Sequence, residues 1–255
     1  MIIVIIFFTF VKRIIFNQNQ NILQPGLPVF ESVFTIDCVI FGFQEGELKI
    51  LLIERNEDPY KDWWALPGLF VEHNEGIDVA AERILYELTG LGDIYMEQLY
   101  TFGEVNRHPD GRVITVGYYA MIRLTGHKEL KPVTNYAKKA FWHPVSELPK
   151  LAFDHTAIFE KSLQKIRRKI SYQPIAFELL PEKFTLTQLQ HVYESILNKK
   201  LDKRNFRKKM LNYGILKELG EKQRGVSYRA ATLYKFDRRK YAKLFQKELS
   251  FMKED

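Results

Sequence analysis

The chain has 255 residues, and its 46% share of hydrophobic residues is enough to bury the cores of two modest domains. Its single cysteine, Cys38, excludes an internal disulfide framework and a multi-cysteine zinc site, so we expect an inert buried thiol in a reducing, cytoplasmic compartment. The net charge of +7 is unevenly distributed along the chain: residues 1–155 have 14 Lys and Arg against 20 Asp and Glu, and residues 156–255 have 24 Lys and Arg against 11 Asp and Glu. The excess of positive charge in the second part predicts a nucleic-acid partner for it.

Residues 1–27 are an apolar extension whose role the sequence does not specify. Lys12 and Arg13 interrupt the opening apolar run long before the roughly 20 residues that a bilayer-spanning helix needs. A signal peptide carries its positive charge before the apolar stretch, whereas here the charge follows it. We therefore predict no membrane partner.

The region 28–153 combines β-rich segments with one amphipathic helix. The predicted strands are 33–42, 48–55, 97–107, 113–123 and a short strand with a turn at 140–148. Residues 44–47 join the first two strands as a hairpin, and residues 109–111 form a turn between the third and fourth. The predicted helix runs from about residue 78 to residue 89, where Gly90 stops it.

Within this region, residues 64–91 carry a distinctive spacing. Seven residues separate Glu75 from Arg83, and the helical run that contains Arg83 ends at Gly90. The pattern resembles the signature of the Nudix family, which reads Gly, five residues, Glu, seven residues, then Arg-Glu-hydrophobic-x-Glu-Glu-x-Gly-hydrophobic. Leu69 stands where the signature has its first glycine. The resemblance implies a Nudix-like domain over residues 28–153.

Two glutamates of that signature are replaced by Ile84 and Leu88. In the family these positions stand with the one at Glu87 on one side of a helix, where three carboxylates hold divalent cations against a diphosphate. Because one carboxylate of three remains, we predict no catalytic residue, no metal site and no cofactor. The pocket between sheet and helix is expected to persist for reversible ligand binding. An active Nudix hydrolase is the alternative.

The resemblance also implies a set of effector contacts, on strands and loops that line the cleft in similar proteins. They are Arg55, Trp63, Trp64, Glu72, Glu87, Arg107 and Tyr118. Trp63 offers a ring that can stack on a sugar face, whereas packing at the start of the motif also explains Trp64. An i, i+4 pair with Arg83 is the simpler explanation of Glu87.

A helix that starts at Asp154 and ends near residue 170 is predicted to connect two domains, over residues 154–172. Asp154 is its predicted cap, and the basic residues at its other end complement the helix dipole. We assign the second domain to residues 173–240 and a C-terminal tail to residues 241–255.

The second domain has a helix-turn-helix pattern. Its first helix begins at a predicted capping box of Thr187 and Gln190. The apolar face of that helix repeats at helical spacing: Leu189, Val192, Tyr193, Ile196 and Leu197. Asp202 caps the second helix, and Gly214 ends it. The residues of the second helix predicted to face inward are Phe206, Met210 and Leu211.

The outer face of this second helix is strongly basic. Strands predicted at 215–219 and 228–236 follow it and enclose a basic loop, which is typical of a wing. Arginine and asparagine can pair with base edges, whereas lysine mostly neutralises phosphate. The predicted DNA-binding residues are Thr187, Gln188, Lys203, Arg204, Asn205, Arg207, Lys208, Lys222 and Arg224. The alternative to duplex DNA binding is a ligand-binding adaptor whose basic domain binds RNA or protein.

Taken together, TLTQLQHVYESIL, LDKRNFRKKML and the junction LAFDH resemble the Nudix-related, NrtR-like transcriptional regulators over about residues 30–240. The resemblance implies an α+β chain, with a Nudix-like α/β/α sandwich followed by a winged helix-turn-helix domain. It also implies a homodimer that binds double-stranded DNA at a pseudo-palindromic operator. Some branches sense ADP-ribose and regulate NAD metabolism, and others regulate sugar catabolism. Because the metal site is lost, we predict a repressor whose effector is a sugar, L-arabinose, with ADP-ribose as the alternative.

Overall fold

The structure is a computed structural model that describes residues 33–124, 130–224 and 230–250, with side chains described as far as residue 244. The apolar extension predicted at residues 1–27 lies outside the described residues. Within the described part of the chain, no helix is long and apolar enough to cross a membrane.

The first half of the described chain forms a mixed β-sheet. Its strands are β1 (Val33–Gln44), β2 (Glu47–Arg55), β3 (Trp64–Ala65), β4 (Gly68–Phe70), β5 (Glu97–Phe102), β6 (Val113–Arg123) and β7 (Ala137–Pro144). Strands β3, β2, β1, β6 and β5 lie side by side in that order, while β4 pairs with β1 and β7 pairs with β2. The long strands β1 and β6 are parallel, and the other pairs are antiparallel.

The predicted hairpin at residues 44–47 is confirmed. Gln44 lies opposite Glu47 in the register of β1 and β2. Between them, Glu45 and Gly46 have φ angles of 55° and 84°, and a two-residue turn that follows the twist of its strands needs such left-handed values at both central positions.

The strand predicted at residues 97–107 is wrong beyond Phe102. Pairing with β6 ends where Phe102 meets Thr115, and the chain then leaves the sheet as a loop. Arg107, which lies in this loop, is buried rather than placed on a strand. Arg107 donates there to the carboxylates of Asp37 and Asp154, and these contacts take the chain away from the strand that its local sequence pattern predicts.

Successive side chains of β1 point to opposite faces of the sheet, and each face is covered by a helix. Helix α1 (Ile77–Thr89) packs on one face and helix α2 (His155–Lys169) on the other. The face toward α1 includes Ile36, Cys38 and Ile40 of β1 with Ala81, Ile84, Leu85 and Leu88 of α1. The face toward α2 includes Val39 and Phe41 with Ile158, Phe159 and Leu163. These layers form the predicted α/β/α sandwich, and burial raises the pKa of the Cys38 thiol, as expected for an inert cysteine.

The second half of the described chain is a winged helix. It contains β8 (Phe184–Thr185), α3 (Leu186–Leu197), α4 (Lys203–Asn212), β9 (Leu216–Lys222), β10 (Thr232–Phe236) and α5 (Arg238–Ser250). Strand β10 lies between β8 and β9 in a small antiparallel sheet. The predicted helix-turn-helix and wing strands are therefore present, and a helix occupies residues 238–250, where we predicted only a tail from residue 241.

The capping box predicted at Thr187 and Gln190 is wrong by two residues. The Thr185 hydroxyl accepts from the Gln188 backbone N–H at 3.2 Å, and the Gln188 side chain accepts from the Thr185 N–H at 2.8 Å. Thr185 also ends β8, which the sequence pattern did not predict, so pairing of β8 with β10 sets where α3 begins.

The second helix agrees with its prediction at its start and differs near its end. The Asp202 carboxylate accepts from the Asn205 N–H at 2.8 Å, which confirms the predicted cap. Phe206 and Met210 are buried as predicted, but Leu211 is 46% exposed and the inward placement predicted for it is wrong. The packed face of this short helix is therefore narrower than its apolar pattern indicates.

One hydrophobic core runs from the sandwich into the winged helix. Residues of α2 that face the sheet belong to the same buried cluster as the packed face of α3. Ile166 and Ile170, at the end of α2, and Ile196, at the end of α3, are almost fully buried in it. Helix α2 therefore packs against both halves of the chain.

Candidate functional site

Arg83 is the centre of an ionic cluster at the start of α1. Its Nε and Nη2 donate to the two carboxylate oxygens of Glu75 at 2.9 and 2.6 Å, and Nη2 also donates to the Phe70 carbonyl at 3.0 Å. Its Nη1 lies 3.2 Å from Glu87 and 3.7 Å from Glu72. The hydrogen bonds from Arg83 hold the pKa of Glu75 below its ordinary value. The predicted contacts Glu72 and Glu87 are thus brought together, but around an arginine.

The two apolar replacements in the motif are buried against the sheet and take no part in this cluster. Ile84 and Leu88 are each 0% exposed and pack against the sheet. The carboxylates that remain, Glu75 and Glu87, are bound to Arg83. Magnesium needs several free oxygen ligands, so the residues present at this site do not fit the cation of a Nudix hydrolase. Among the described residues, no group of three His, Cys, Asp or Glu side chains is arranged to hold a metal ion.

A second cluster, which we call the Phe153 cluster, is made by Arg55, Tyr60, Trp63, His108 and Phe153. The Arg55 guanidinium lies 4.9 Å from the centre of the Phe153 ring, and His108 stacks on that ring at 4.9 Å. Tyr60 meets both Phe153 and Trp63 edge-on, at 4.8 and 5.3 Å. The structure thus brings the predicted contacts Arg55 and Trp63 together.

The titratable groups of the Phe153 cluster are partly buried. Arg55 Nε donates to the Pro59 carbonyl at 2.9 Å. Burial lowers the pKa of both Arg55 and His108. A guanidinium beside aromatic rings can bind a flat, anionic molecule by stacking and charge-assisted hydrogen bonds.

Two predicted effector contacts lie apart from this cluster. The Trp64 ring packs edge-on against His143 at 4.2 Å, and Lys139 lies over it, which agrees with the packing explanation. Tyr118 is 2% exposed, and its hydroxyl donates to the Asp78 carboxylate. Burial raises the pKa of Tyr118 above its ordinary value. Contact of either side chain with an effector stays a prediction.

Arg107 lies in a buried ionic network rather than on a cleft surface. Its Nε and Nη2 donate to the two carboxylate oxygens of Asp154 at 2.9 and 2.7 Å, and Nη2 also donates to Asp37 at 3.2 Å. On the other side of Asp37, His155 Nε2 lies at 3.3 Å, and His155 Nδ1 accepts from the Leu66 N–H at 2.9 Å. We call this set the Arg107 network.

Burial alone would raise the pKa of Asp37, but His155 and Arg107 outweigh it and hold that pKa below its ordinary value. Gly68 leaves room for this carboxylate, because a Cβ at Gly68 would come within 2.0 Å of the Asp37 Oδ1. Asp37, Asp154 and His155 were not predicted as a group from the sequence. An acidic residue in the middle of an apolar strand was the signal that could have indicated it.

The predicted DNA-binding residues divide into exposed and structural ones. Those exposed on α4 and on the wing are Lys203, Arg204, Asn205, Lys208, Lys222 and Arg224. Gln188 belongs to the capping box of α3. Arg207 is partly buried, and its Nη2 donates to the Thr187 hydroxyl at 3.2 Å, which ties α4 to α3. Part of the predicted wing loop, residues 225–229, lies outside the described residues.

Two cavities lie away from the predicted effector contacts. One, of about 520 Å³, is lined by the β1–β2 turn and by residues at the end of α3 such as Asn198. The other, of about 720 Å³, lies beneath α4 and is lined by apolar side chains such as Phe206 and Met210. Neither cavity is lined by a predicted effector residue.

Comparison with known proteins follows the division of the fold. Residues 32–164 match the family model described as NUDIX domain, and residues 176–236 match the one described as NrtR DNA-binding winged helix domain. The chain is similar to the ADPR responsive transcriptional repressor NtrR of Acinetobacter baylyi, with 34% identity over 245 residues, which are 94% of this chain and 96% of that protein.

Solved structures of similar proteins include two of particular relevance to the two halves of this chain. Shewanella oneidensis NrtR complexed with a 27mer DNA is 30% identical with a TM-score of 0.67, over 82% of this chain and 95% of that one. The NUDIX domain of the same protein complexed with ADP ribose is 28% identical with a TM-score of 0.51, over 57% of this chain and 94% of that one.

Proposed function

Because the chain belongs to the NrtR-like transcriptional regulators, in which a Nudix domain is joined to a DNA-binding winged helix, we propose that ADP-ribose is the effector of this DNA-binding repressor. The observation that carries the proposal is the 34% identity to an ADPR responsive repressor over nearly the whole of both chains. The similarity to a NUDIX domain complexed with ADP ribose supports it.

The comparisons give no support to the predicted sugar, L-arabinose. That prediction treated the loss of magnesium ligands as a loss of phosphate binding. Hydrolysis of a diphosphate depends on the metal, whereas binding of a diphosphate needs only positive charge and hydrogen-bond donors. Arg55 offers both. The Phe153 cluster adds rings on which an adenine can stack.

We propose further that the Nudix domain binds ADP-ribose without cleaving it. Ile84 and Leu88 are buried where the signature has glutamates, and Glu75 and Glu87 are bound to Arg83. Incubation of the full chain with ADP-ribose and magnesium should release no AMP, as measured by chromatography. Stoichiometric release of AMP would favour the alternative, an active hydrolase.

On the DNA side, the exposed cations of α4 are suited to duplex DNA. Lys203, Arg204 and Lys208 share the exposed surface of a capped helix, with Asn205 beside them. Such a helix can enter the major groove and contact both phosphates and base edges. We propose that two copies bind a pseudo-palindromic operator as a homodimer. Binding to RNA with equal affinity would favour an adaptor instead.

Calorimetry tests the effector without knowledge of the operator. The full chain is titrated with ADP-ribose, AMP and L-arabinose in separate experiments. Saturable heat from ADP-ribose and none from L-arabinose supports the proposal, and the reverse result contradicts it. The operator is then selected from a random pool of duplexes, and fluorescence anisotropy measures whether ADP-ribose weakens its binding, as expected for release of a repressor.

A further inference from the structure

We propose that Asp154 is a positioning residue that couples the effector site to the winged helix through α2. The proposal rests on the proposed function, because it takes the Phe153 cluster as part of the effector site. It is carried by three features of the described chain: the partner of Asp154, the backbone of Phe153, and the contacts at the far end of α2.

Asp154 stands at the cap position of α2, but its carboxylate makes no capping hydrogen bond to this helix. An aspartate at this position ordinarily accepts a hydrogen bond from a backbone N–H two or three residues later. Here both of its oxygens accept from Arg107 instead, at 2.9 and 2.7 Å. Asp154 therefore binds the Arg107 guanidinium and leaves the first turn of α2 as its alternative partner.

Phe153, the preceding residue, has a φ of 52°. A bulky residue with such a left-handed backbone is strained, and strain of this kind persists only where surrounding contacts enforce it. The Phe153 ring is enclosed by Arg55, Tyr60 and His108. A ligand that binds among these side chains changes the contacts that hold the strained residue, and the change reaches Asp154 through one peptide bond.

The loop that supplies His108 also supplies Arg107. One segment between β5 and β6 therefore contacts Phe153 by stacking and Asp154 by ion pairing. Movement of this segment on ligand binding alters both contacts at the start of α2 together. An effector that binds the two arrangements with different affinity shifts the balance between them.

The far end of α2 is fixed to the DNA-binding half. Arg167 Nε donates to the Ile196 carbonyl at 2.8 Å, and this carbonyl lies at the end of α3, the first helix of the helix-turn-helix. Ile166 and Ile170 pack in the same buried core as Ile196. A tilt of α2 at Asp154 is therefore transmitted to α3 as a nearly rigid movement.

The test compares Asp154→Asn with Asp93→Asn in the full chain. Asparagine at 154 has the same shape and caps helices well, but it lacks the charge that Arg107 binds. Asp93 is exposed, lies outside both clusters and has a left-handed φ of 56°, which asparagine tolerates. For each protein, anisotropy measures the ratio of operator Kd with and without saturating ADP-ribose, and calorimetry measures the ADP-ribose Kd.

We expect the ratio of operator Kd values to be at least fivefold lower in Asp154→Asn than in the wild type, since typical couplings are about 5-fold to 150-fold. The ADP-ribose Kd of this variant should change by less than about fivefold. Asp93→Asn should retain the wild-type ratio. An unchanged ratio in Asp154→Asn overturns the inference and leaves ADP-ribose sensing intact. Loss of ADP-ribose binding in that variant also overturns it, since Asp154 then acts at the ligand site. Absence of ADP-ribose binding to the wild type refutes the proposed function itself, and the inference with it.

A second pair keeps the test decisive if Asp154→Asn does not fold. Arg167→Met removes the contact of α2 with the Ile196 carbonyl, because methionine has no N–H donor, and Arg168→Met removes a neighbouring exposed charge. If α2 transmits the movement, the first variant lowers the ratio and the second does not. If the two variants show the same ratio of operator Kd values with and without ADP-ribose, α2 does not transmit the movement.

Discussion

Arg83 binds Glu75 through two parallel hydrogen bonds, of 2.9 Å from Nε and 2.6 Å from Nη2. The two residues stand at the positions that the Nudix signature keeps, so the motif survives here as an ion pair. The pair ties the loop before α1 to the helix itself, and Glu75 also accepts from the Glu72 N–H at 2.8 Å. Such two-point arginine–carboxylate contacts are stronger than single ones.

Glu75→Gln should lower the free energy of unfolding at pH 7 by about 1.5 kcal/mol, because the pair is partly buried and charge-assisted. Since the pKa of Glu75 is lowered in the folded protein, the stabilisation is present above its ordinary value of 4.5 and is lost as the pH falls through the lower folded pKa. Urea unfolding of wild type and variant should therefore converge in that acidic range. Glu82→Gln, exposed on the same helix, is the control and should keep the free energy of unfolding at pH 7 close to that of the wild type.

Restoring a lost glutamate should destabilise the protein rather than revive hydrolysis. Ile84 is 0% exposed, and Ile84→Glu would bury an unpaired carboxylate. The free energy of unfolding should fall by about 3 kcal/mol or more. Tyr86→Glu, at a position 52% exposed on the same helix, should stay close to wild type in the same urea titration. Magnesium-dependent release of AMP by a folded Ile84→Glu variant would contradict this account.

Arg55→Gln should weaken ADP-ribose binding without changing the fold. A charge-assisted hydrogen bond to a phosphate contributes about 1.5 to 3 kcal/mol, which corresponds to roughly a tenfold to hundredfold rise in the Kd measured by calorimetry. Lys61→Gln removes an exposed charge on the same loop and serves as the control. If both variants bind ADP-ribose like wild type, the diphosphate lies outside the Phe153 cluster.

Arg204→Gln should weaken operator binding and reduce its dependence on salt. Each phosphate contact that is lost lowers the slope of log K against log salt by about 0.9 for duplex DNA. Arg123→Gln, exposed on β6 of the Nudix domain, is the matched control and should leave affinity and slope unchanged. The measurement is anisotropy at a series of salt concentrations. Equal slopes for Arg204→Gln and wild type would mean that α4 does not face the backbone.

Features of short range were readable from the sequence. The turn at Glu45 and Gly46, the cap at Asp202 and the buried face of α1 follow from residue preferences and periodicity, which act within a few residues along the chain. The signature at residues 64–91 predicted the Nudix-like domain, and the excess of cations predicted the nucleic-acid partner. Two distinct domains and their kind of partner were therefore determined by the sequence itself.

Features of long range were decided only by the tertiary structure. Arg107 was predicted as an effector contact and Asp154 as a helix cap, but burial brings their charges together across 47 positions of the chain. Pairing of β8 with β10 likewise moves the cap of α3 to Thr185. A buried charge is stable only beside an opposite charge, which the fold can bring from any distance along the chain. A strand likewise needs a neighbouring strand for its backbone hydrogen bonds, and that neighbour can also be distant in the sequence. The sequence can indicate that a charge such as Asp37 is buried in an apolar strand, but it does not show which distant residue binds it, because that contact forms only in the folded chain.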